Sequence, residues 1–195
     1  MTDAQTLAVY DVKIDDYLRL TQAPPSKSLL AFIKAIPEGG RVLDLGCGPG
    51  FAAAEMARHG CNVEAIDGSA EMVAAASKHP GVIARQATFD DLPAQATYYG
   101  IYANFSLLHA KRADFNRHIQ ACHAALLPGG IFHLAMKLGT GARRDALGRF
   151  YTYYTAEELK HILTQNGFSL TFEREGTEKG LAGDVEPFIM LAAHA

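Results

Sequence analysis

Residues 42–50 read VLDLGCGPG, an apolar run carrying one acid and then three glycines spaced one residue apart. The run suits a strand buried on both faces, as strands are inside a parallel sheet. Glycines 46, 48 and 50 open backbone angles closed to other residues and strip the turn of Cβ atoms, so a ligand can touch main chain directly. A helix starting at Phe51 would present free N–H groups suited to a carboxylate or phosphate. The stretch therefore predicts a strand, a ligand-facing turn and a helix in succession.

Strands and helices alternate outward from it. Residues 51–59 predict a helix ended by His59-Gly60, 61–66 a strand, and 70–78 a helix with Glu71 in its first turn and Lys78 in its last. Strands follow at 82–85 and 99–104. A helix around 114–126 turns Phe115, Ile119, Cys122 and Leu126 inward and stops at Pro128-Gly129-Gly130, before a strand at 131–136. Thr155 and Glu158 fit a capping box for a helix closing at Asn166-Gly167, and 168–174 with 187–192 read as a closing antiparallel hairpin. Upstream, 4–20 places Leu7, Tyr10, Ile14 and Tyr17 on one helical face, 21–25 break that helix, and Ser26 starts another with Leu29, Leu30, Ile33 and Ile36 inward. Such alternation predicts an α/β, Rossmann-like, doubly wound and mostly parallel sheet with helices on both faces. No repeat or composition shift divides the 195 residues, so one domain is expected over 1–195, with 1–36 as flanking helices and 139–154 as a loop.

Composition narrows the function classes. Apolar residues make up 49% and charged residues 20%, an ordinary globular balance. A formal charge of −3 gives no general attraction to nucleic acid or anionic membranes, so neither is expected as a partner. Cys47, Cys61 and Cys122 are scattered without ligand spacing, so they read as reduced thiols and no metal is expected. No apolar segment approaches the roughly 20 residues that span a bilayer, and the first residues lack a basic region followed by an apolar one, so a cytoplasmic location is expected. The sequence is silent on oligomeric state.

Asp67 falls at the end of the second predicted strand, 21 residues beyond Gly46. A carboxylate there can accept two hydrogen bonds from a ribose diol; its plainer role is to cap the next helix beside Gly68 and Ser69. Loop and acid together favour the ribose role. Two cofactor classes share this plan. The dinucleotide fingerprint G-x-G-x-x-G is not met, because the third glycine comes one position early and Pro49 offers no N–H.

The chain instead resembles the class I S-adenosylmethionine-dependent methyltransferases through VLDLGCGPG, the acid after the second strand, LPGG at 127–130 and the closing hairpin. The resemblance implies a seven-stranded sheet with an antiparallel last strand. It also implies that Asp44, Gly46, Cys47 (through its backbone) and Gly48 hold the methionyl end. Asp67 with Gly68 would take the ribose, and Met72 would pack on the adenine. Many relatives carry an aspartate four residues before a Leu-Pro pair for the adenine amino group. Here QATFDDLP, 86–93, puts Thr88 there, so recognition is expected from the main chain of Thr88 and Phe89, with Asp90 and Asp91 as solvated loop charges.

A sulfonium methyl needs a nucleophile in line and water kept out, and a base only where the acceptor must lose a proton. ANFSLLHA, 103–110, offers Asn104, Ser106 and His109 after the fourth strand. The Asn/Asp-Pro-Pro-aromatic run of amino-methylating relatives is not present. Asn104 is expected to touch the cofactor or order the strand end. His109 is either a base or a histidine bonded within its loop. Tyr10 and Tyr17 are expected as a lid or as core. KLGTGARRDALGRFYTYYT, 137–155, sets Lys137, Arg143, Arg144 and Arg149 among Tyr151, Tyr153 and Tyr154. Lys137, Arg149 and Tyr151, with Tyr10 and Tyr17, are the candidate acceptor residues; the alternative is core tyrosines and solvated arginines. The expected function is methyl transfer from S-adenosylmethionine, leaving S-adenosylhomocysteine, to a small-molecule acceptor. The rivals are a non-catalytic S-adenosylmethionine-binding scaffold and an NAD-dependent oxidoreductase.

Overall fold

The opening strand is β1, Arg41–Leu45, third from one edge of a seven-stranded sheet. The structure, a computed structural model, describes residues 3–20 and 24–195. Before β1 come α1 (Ala4–Val12), α2 (Ile14–Leu20) and α3 (Lys27–Lys34). After it come α4 (Phe51–Arg58), β2 (Asn62–Asp67), α5 (Ala70–Ala76), β3 (Val82–Gln86), β4 (Tyr98–Asn104), α6 (Arg112–Ala125) and β5 (Leu126–Lys137). The chain then forms β6 (Ala142–Arg144), β7 (Phe150–Thr152), α7 (Ala156–Gln165), β8 (Ser169–Lys179) and β9 (Val185–His194).

The sheet order is β3-β2-β1-β4-β5-β9-β8. β1 pairs in parallel with β2 and with β4, while β9 runs against both β5 and β8. Strand order reverses between β1 and β4, where a doubly wound sheet leaves a crevice beyond its carboxyl ends. The unbroken apolar run in β1 follows from cover on both faces. Leu43 and Leu45 join Phe115, Ile119 and Leu159 in one core, whereas Val42 joins Leu29, Phe32 and Met56 in the other. Each such side chain contributes about 1.5–3 kcal/mol when fully buried. No helix among the described residues is long and apolar enough to cross a membrane.

Several expectations need correcting. The helix over 4–20 breaks at Lys13 into α1 and α2, which lets the second half turn across the glycine loop. Of the break expected at 21–25, residues 21–23 lie outside the described residues. Ser26 caps α3 as predicted, but Leu30 is 39% exposed and Phe32 takes the inward position. The helix over 70–78 ends at Ala76, capped by Ser77. α6 starts at Arg112 and ends at Ala125, so Leu126 and Pro128-Gly129-Gly130 belong to β5, with Leu126 beside Tyr98. The expected 139–154 loop contains the antiparallel pair β6–β7, anchored where Tyr151, Tyr153 and Tyr154 are at most 3% exposed.

Candidate active site

The crevice beyond β1, β2 and β4 is lined by Gly46, Gly48, Ile66, Asp67, Gly68, Met72, Ala87, Thr88, Phe89, Asn104, Ser106 and His109, with Thr6, Leu7, Tyr10, Tyr17 and Phe105 closing it; with its open mouth it holds about 610 Å³. Its floor is main chain. Gly46 has φ +73°, and a Cβ there would lie 2.2 Å from the Ser106 Cβ, so no other residue fits. Gly48, at φ +53°, donates its N–H to Asp67 Oδ2 at 2.9 Å. Asp67 Oδ1 accepts from the Ser69 N–H at 2.9 Å. The cap of the next helix is Ser69, whose hydroxyl accepts from the Met72 N–H, and not Asp67; two N–H groups fix the Asp67 carboxylate, and each oxygen keeps lone-pair capacity beside the crevice it lines. Burial pushes the Asp67 carboxyl up, against the bonds from Ser69 and Gly48.

Asp44 sits beneath the loop, 3% exposed, and does not line the crevice. Its Oδ2 has no hydrogen-bond partner among the described residues, and burial pushes its carboxyl up to about 7. Such an oxygen is costly to bury and invites a donor. Cys47 is also outside the lining; its N–H is spent on the Ile66 carbonyl and its own carbonyl accepts from Gly50, so its backbone role must be to shape the loop. Thr88 is likewise engaged. Its N–H and hydroxyl both donate to Asp91 Oδ2, at 2.8 and 2.9 Å, so Asp91 caps the turn while staying a solvent-exposed charge, and Phe89 lines the crevice beside it. Asp90 is bonded to Arg117 at 2.5 Å.

α1 and α2 form the roof. Leu7 lies against Gly68, where a Cβ would meet its Cδ2 at 2.8 Å, and Tyr17 lies over Gly48. Asp11 accepts from the Ser69 hydroxyl at 2.5 Å, and Asp3 holds Arg144 through two contacts of 2.8 Å. Behind the roof a second cavity of about 790 Å³, mouth included, is lined by Tyr10, Tyr17, Phe105, Leu108, Lys137, Arg149 and Tyr151, and by Glu178, Lys179, Gly180, Leu181, Glu186 and Phe188 of the β8–β9 hairpin. All five candidate acceptor residues border it. The sequence reading missed Glu178 and Glu186. Their signal was topological: an antiparallel closing hairpin returns its tip to the ligand edge of the sheet.

Tyr151, Tyr153 and Tyr154 belong to the core, as the plainer reading had it, and Arg143 stays exposed although paired, whereas Arg149 is buried. Glu186 accepts from Lys137, from Arg143 at 3.0 Å and from the Tyr153 hydroxyl at 2.8 Å. Burial pushes Glu186 up, but the bonds from Lys137 and Tyr153 outweigh it and hold it below its usual range. Arg149, 3% exposed, clasps Asp145 at 2.7 Å and donates to the Tyr10 hydroxyl at 3.1 Å. Lys137 Nζ stands 4.2 Å from the Tyr151 ring centre. His109 Nδ1 lies 2.6 Å from the Phe150 carbonyl, which can only accept, so Nδ1 carries the proton. Nε2 is then the acceptor of the Tyr10 hydroxyl at 2.8 Å. Burial draws His109 down to about 4. Asn104 Oδ1 accepts from His133 Nε2 at 3.2 Å, which fixes its amide at the crevice edge. Among the described residues, no group of three or more His, Cys, Asp or Glu could hold a metal.

A main-chain floor, one acid and a helical roof make a ligand-sized crevice at the switch point of a doubly wound α/β sheet. The model of a methyltransferase domain family matches residues 17–172. The chain belongs to that family, the class I S-adenosylmethionine-dependent methyltransferases. The ubiquinone biosynthesis O-methyltransferase of Nitrobacter winogradskyi is 27% identical over 184 residues, covering 80% of this chain and 69% of that protein. The protein of the same description from Chelativorans sp. is 33% identical over 103 residues, 50% of this chain and 40% of its own length. Against the latter the chain spans well under half the relative's length. A solved 1,6-didemethyltoxoflavin-N1-methyltransferase of Burkholderia thailandensis, with that compound and S-adenosylhomocysteine bound, superposes with TM-score 0.75 at 20% identity, covering 98% of this chain and 87% of that one. At that identity the superposition shows the fold alone.

Proposed function

We propose that the protein transfers the methyl group of S-adenosylmethionine to a hydroxyl oxygen of a small planar acceptor. The observation that carries this reading is that the crevice and the second cavity meet, sharing Tyr10, Tyr17 and Phe105 as a common wall. The curated relatives described as O-methyltransferases support an oxygen acceptor, and the fold neighbour's bound heterocycle supports a planar one.

The residues present fit the cofactor. Asp67 has acceptor capacity for the ribose hydroxyls, Gly46 and Gly48 offer bare main chain to the methionyl end, and the orphaned Asp44 Oδ2 favours a positive group nearby. Ile66, Met72 and Phe89, which line the crevice, would supply apolar walls for the adenine, and Asn104, which lines it too, would face the sulfonium end. When bound, S-adenosylmethionine supplies a methyl carbon on positive sulfur, and that sulfur departs as a neutral thioether. Leu7, Tyr10 and Tyr17 exclude water from above.

A hydroxyl acceptor must also lose its proton. His109 is poorly placed to take it, because Nε2 is filled by Tyr10 and burial keeps the ring a weak base. We assign it as a positioning residue for Tyr10. Glu178 borders the second cavity, has no side-chain hydrogen-bond partner among the described residues, and stays open to solvent while partial desolvation raises its carboxyl against the pull of Lys137. That carboxylate takes the proton, while Lys137 and Arg149 steady the oxygen left behind.

The test is transfer of labelled methyl from S-adenosylmethionine to a panel of mono- and dihydroxy aromatic compounds. Label in an O-methyl ether is the expected result. Tight binding of S-adenosylhomocysteine with no transfer to any acceptor would favour the non-catalytic binding role instead.

A further inference from the structure

Among the described residues, one residue other than glycine has a positive φ: Phe105, at +55°. A bulky side chain is a rare occupant of that region, because its Cβ crowds the neighbouring carbonyl. The chain around it shows what holds it there. On one side Asn104 pairs with Ala135, and the Phe105 N–H donates to the Ala135 carbonyl at 3.1 Å. On the other, Ser106 abuts Gly46 and donates its hydroxyl to the Leu45 carbonyl at 2.5 Å. A single residue must connect two pinned points, and a left-handed turn does so.

That turn delivers the Phe105 side chain to the place where the two cavities meet. Tyr10 and Tyr17 reach the same place from the roof, so Phe105 is the sheet's share of the common wall. Its ring stands edge-on to Phe188, with centroids 5.7 Å apart at 87°. Glycine would adopt the turn without strain but would leave the junction open. Backbone strain at a site edge is commonly kept where the side chain is needed.

Resting on the reading of the second cavity as the acceptor site, we propose that Phe105 is a positioning and specificity-determining residue. Its ring is the wall against which a planar acceptor is registered, so that one hydroxyl faces the methyl donor. The test uses a catechol carrying one ring substituent, whose two hydroxyls give isomeric monomethyl ethers. Wild type is expected to give mainly one isomer. Phe105→Ala should bring the isomers within twofold of each other, lower kcat at least tenfold and raise acceptor KM at least fivefold, with S-adenosylhomocysteine affinity within threefold. Phe105→Leu should fall between. Phe105→Gly should show the same loss of selectivity as Phe105→Ala but a higher unfolding midpoint, which separates the ring from the strain. An unchanged isomer ratio in both Ala and Gly variants would overturn the proposal. If wild type methylates no acceptor, the function reading fails. Phe105 is then judged by titrating the same catechol into the S-adenosylhomocysteine-loaded proteins: binding at least fivefold weaker in Phe105→Ala supports the wall, and equal binding overturns it.

Discussion

The crevice and the second cavity lie on either side of three shared residues, yet they are built differently. The crevice has a floor of main chain and one acid between Gly46 and Gly68, edged by Thr88, Asn104, Ser106 and His109. The second cavity takes side chains from α1, α2, the turn after β4, β5, β7 with the residue before it, and the β8–β9 hairpin. A site of main chain is written locally, because the glycines that make it must stand together. A site of side chains is assembled by tertiary packing from positions whose spacing carries no pattern.

Four changes sharpen or break that contrast, from the largest effect down. Gly46→Ala forces a Cβ into Ser106 at a left-handed position. Strain and overpacking together should cost roughly 3 kcal/mol or more of stability in denaturant unfolding. A fully stable variant would mean that the floor adapts.

Phe105→Ala, treated above, comes next, at tenfold or more in kcat. Glu186→Gln should follow. It removes the charge that gathers Lys137, Arg143 and Tyr153, so acceptor KM should rise about tenfold, the equivalent of one charge-assisted hydrogen bond. Affinity for S-adenosylhomocysteine should stay within twofold by calorimetry. Loss of cofactor binding would erase the division between the two regions.

The smallest effect lies in pH dependence. Burial draws His109 from 6.5 to about 4 and His133 to about 3. The unfolded chain therefore binds protons that these rings refuse, and their contribution to stability falls as pH drops below 6.5. Asp44 acts in the opposite sense: raised from 3.8 to about 7, it is protonated in the folded state first and adds stability as pH falls through that window. The raised Asp67 adds to Asp44. Asp44→Asn removes one opposing proton, so stability should fall more steeply between pH 6.5 and 4, by at most about 1.4 kcal/mol per pH unit. Urea unfolding at several pH values reads the slope; an unchanged slope would place Asp44 in an ionised state throughout.

Much of the fold was legible because its signals are local. The run in β1, the Ser26 cap and the Thr155–Glu158 capping box lie where the sequence put them. The break at Lys13 was not legible, since Leu7, Tyr10, Ile14 and Tyr17 keep helical spacing across it and the bend answers to the glycine loop beneath. Pro128-Gly129-Gly130 read as a helix stop but lies inside β5, because Tyr98 pairs with Leu126 across a register shift. In the site, Gly46, Gly48, Asp67 and Met72 border the crevice that the spacing implied. Thr88 was readable only as a departure from pattern, and its capture by Asp91 became visible in the cap geometry. Glu178 and Glu186 were hidden in a polar loop until the hairpin placed that loop at the sheet's ligand edge.

The central claim is tested most directly by calorimetric titration of S-adenosylhomocysteine into wild type and Asp67→Ala. Two charge-assisted bonds at roughly 1.5–3 kcal/mol each predict a loss of 100-fold or more in the variant. Equal affinity in the two proteins would contradict the assignment of this crevice to the nucleoside.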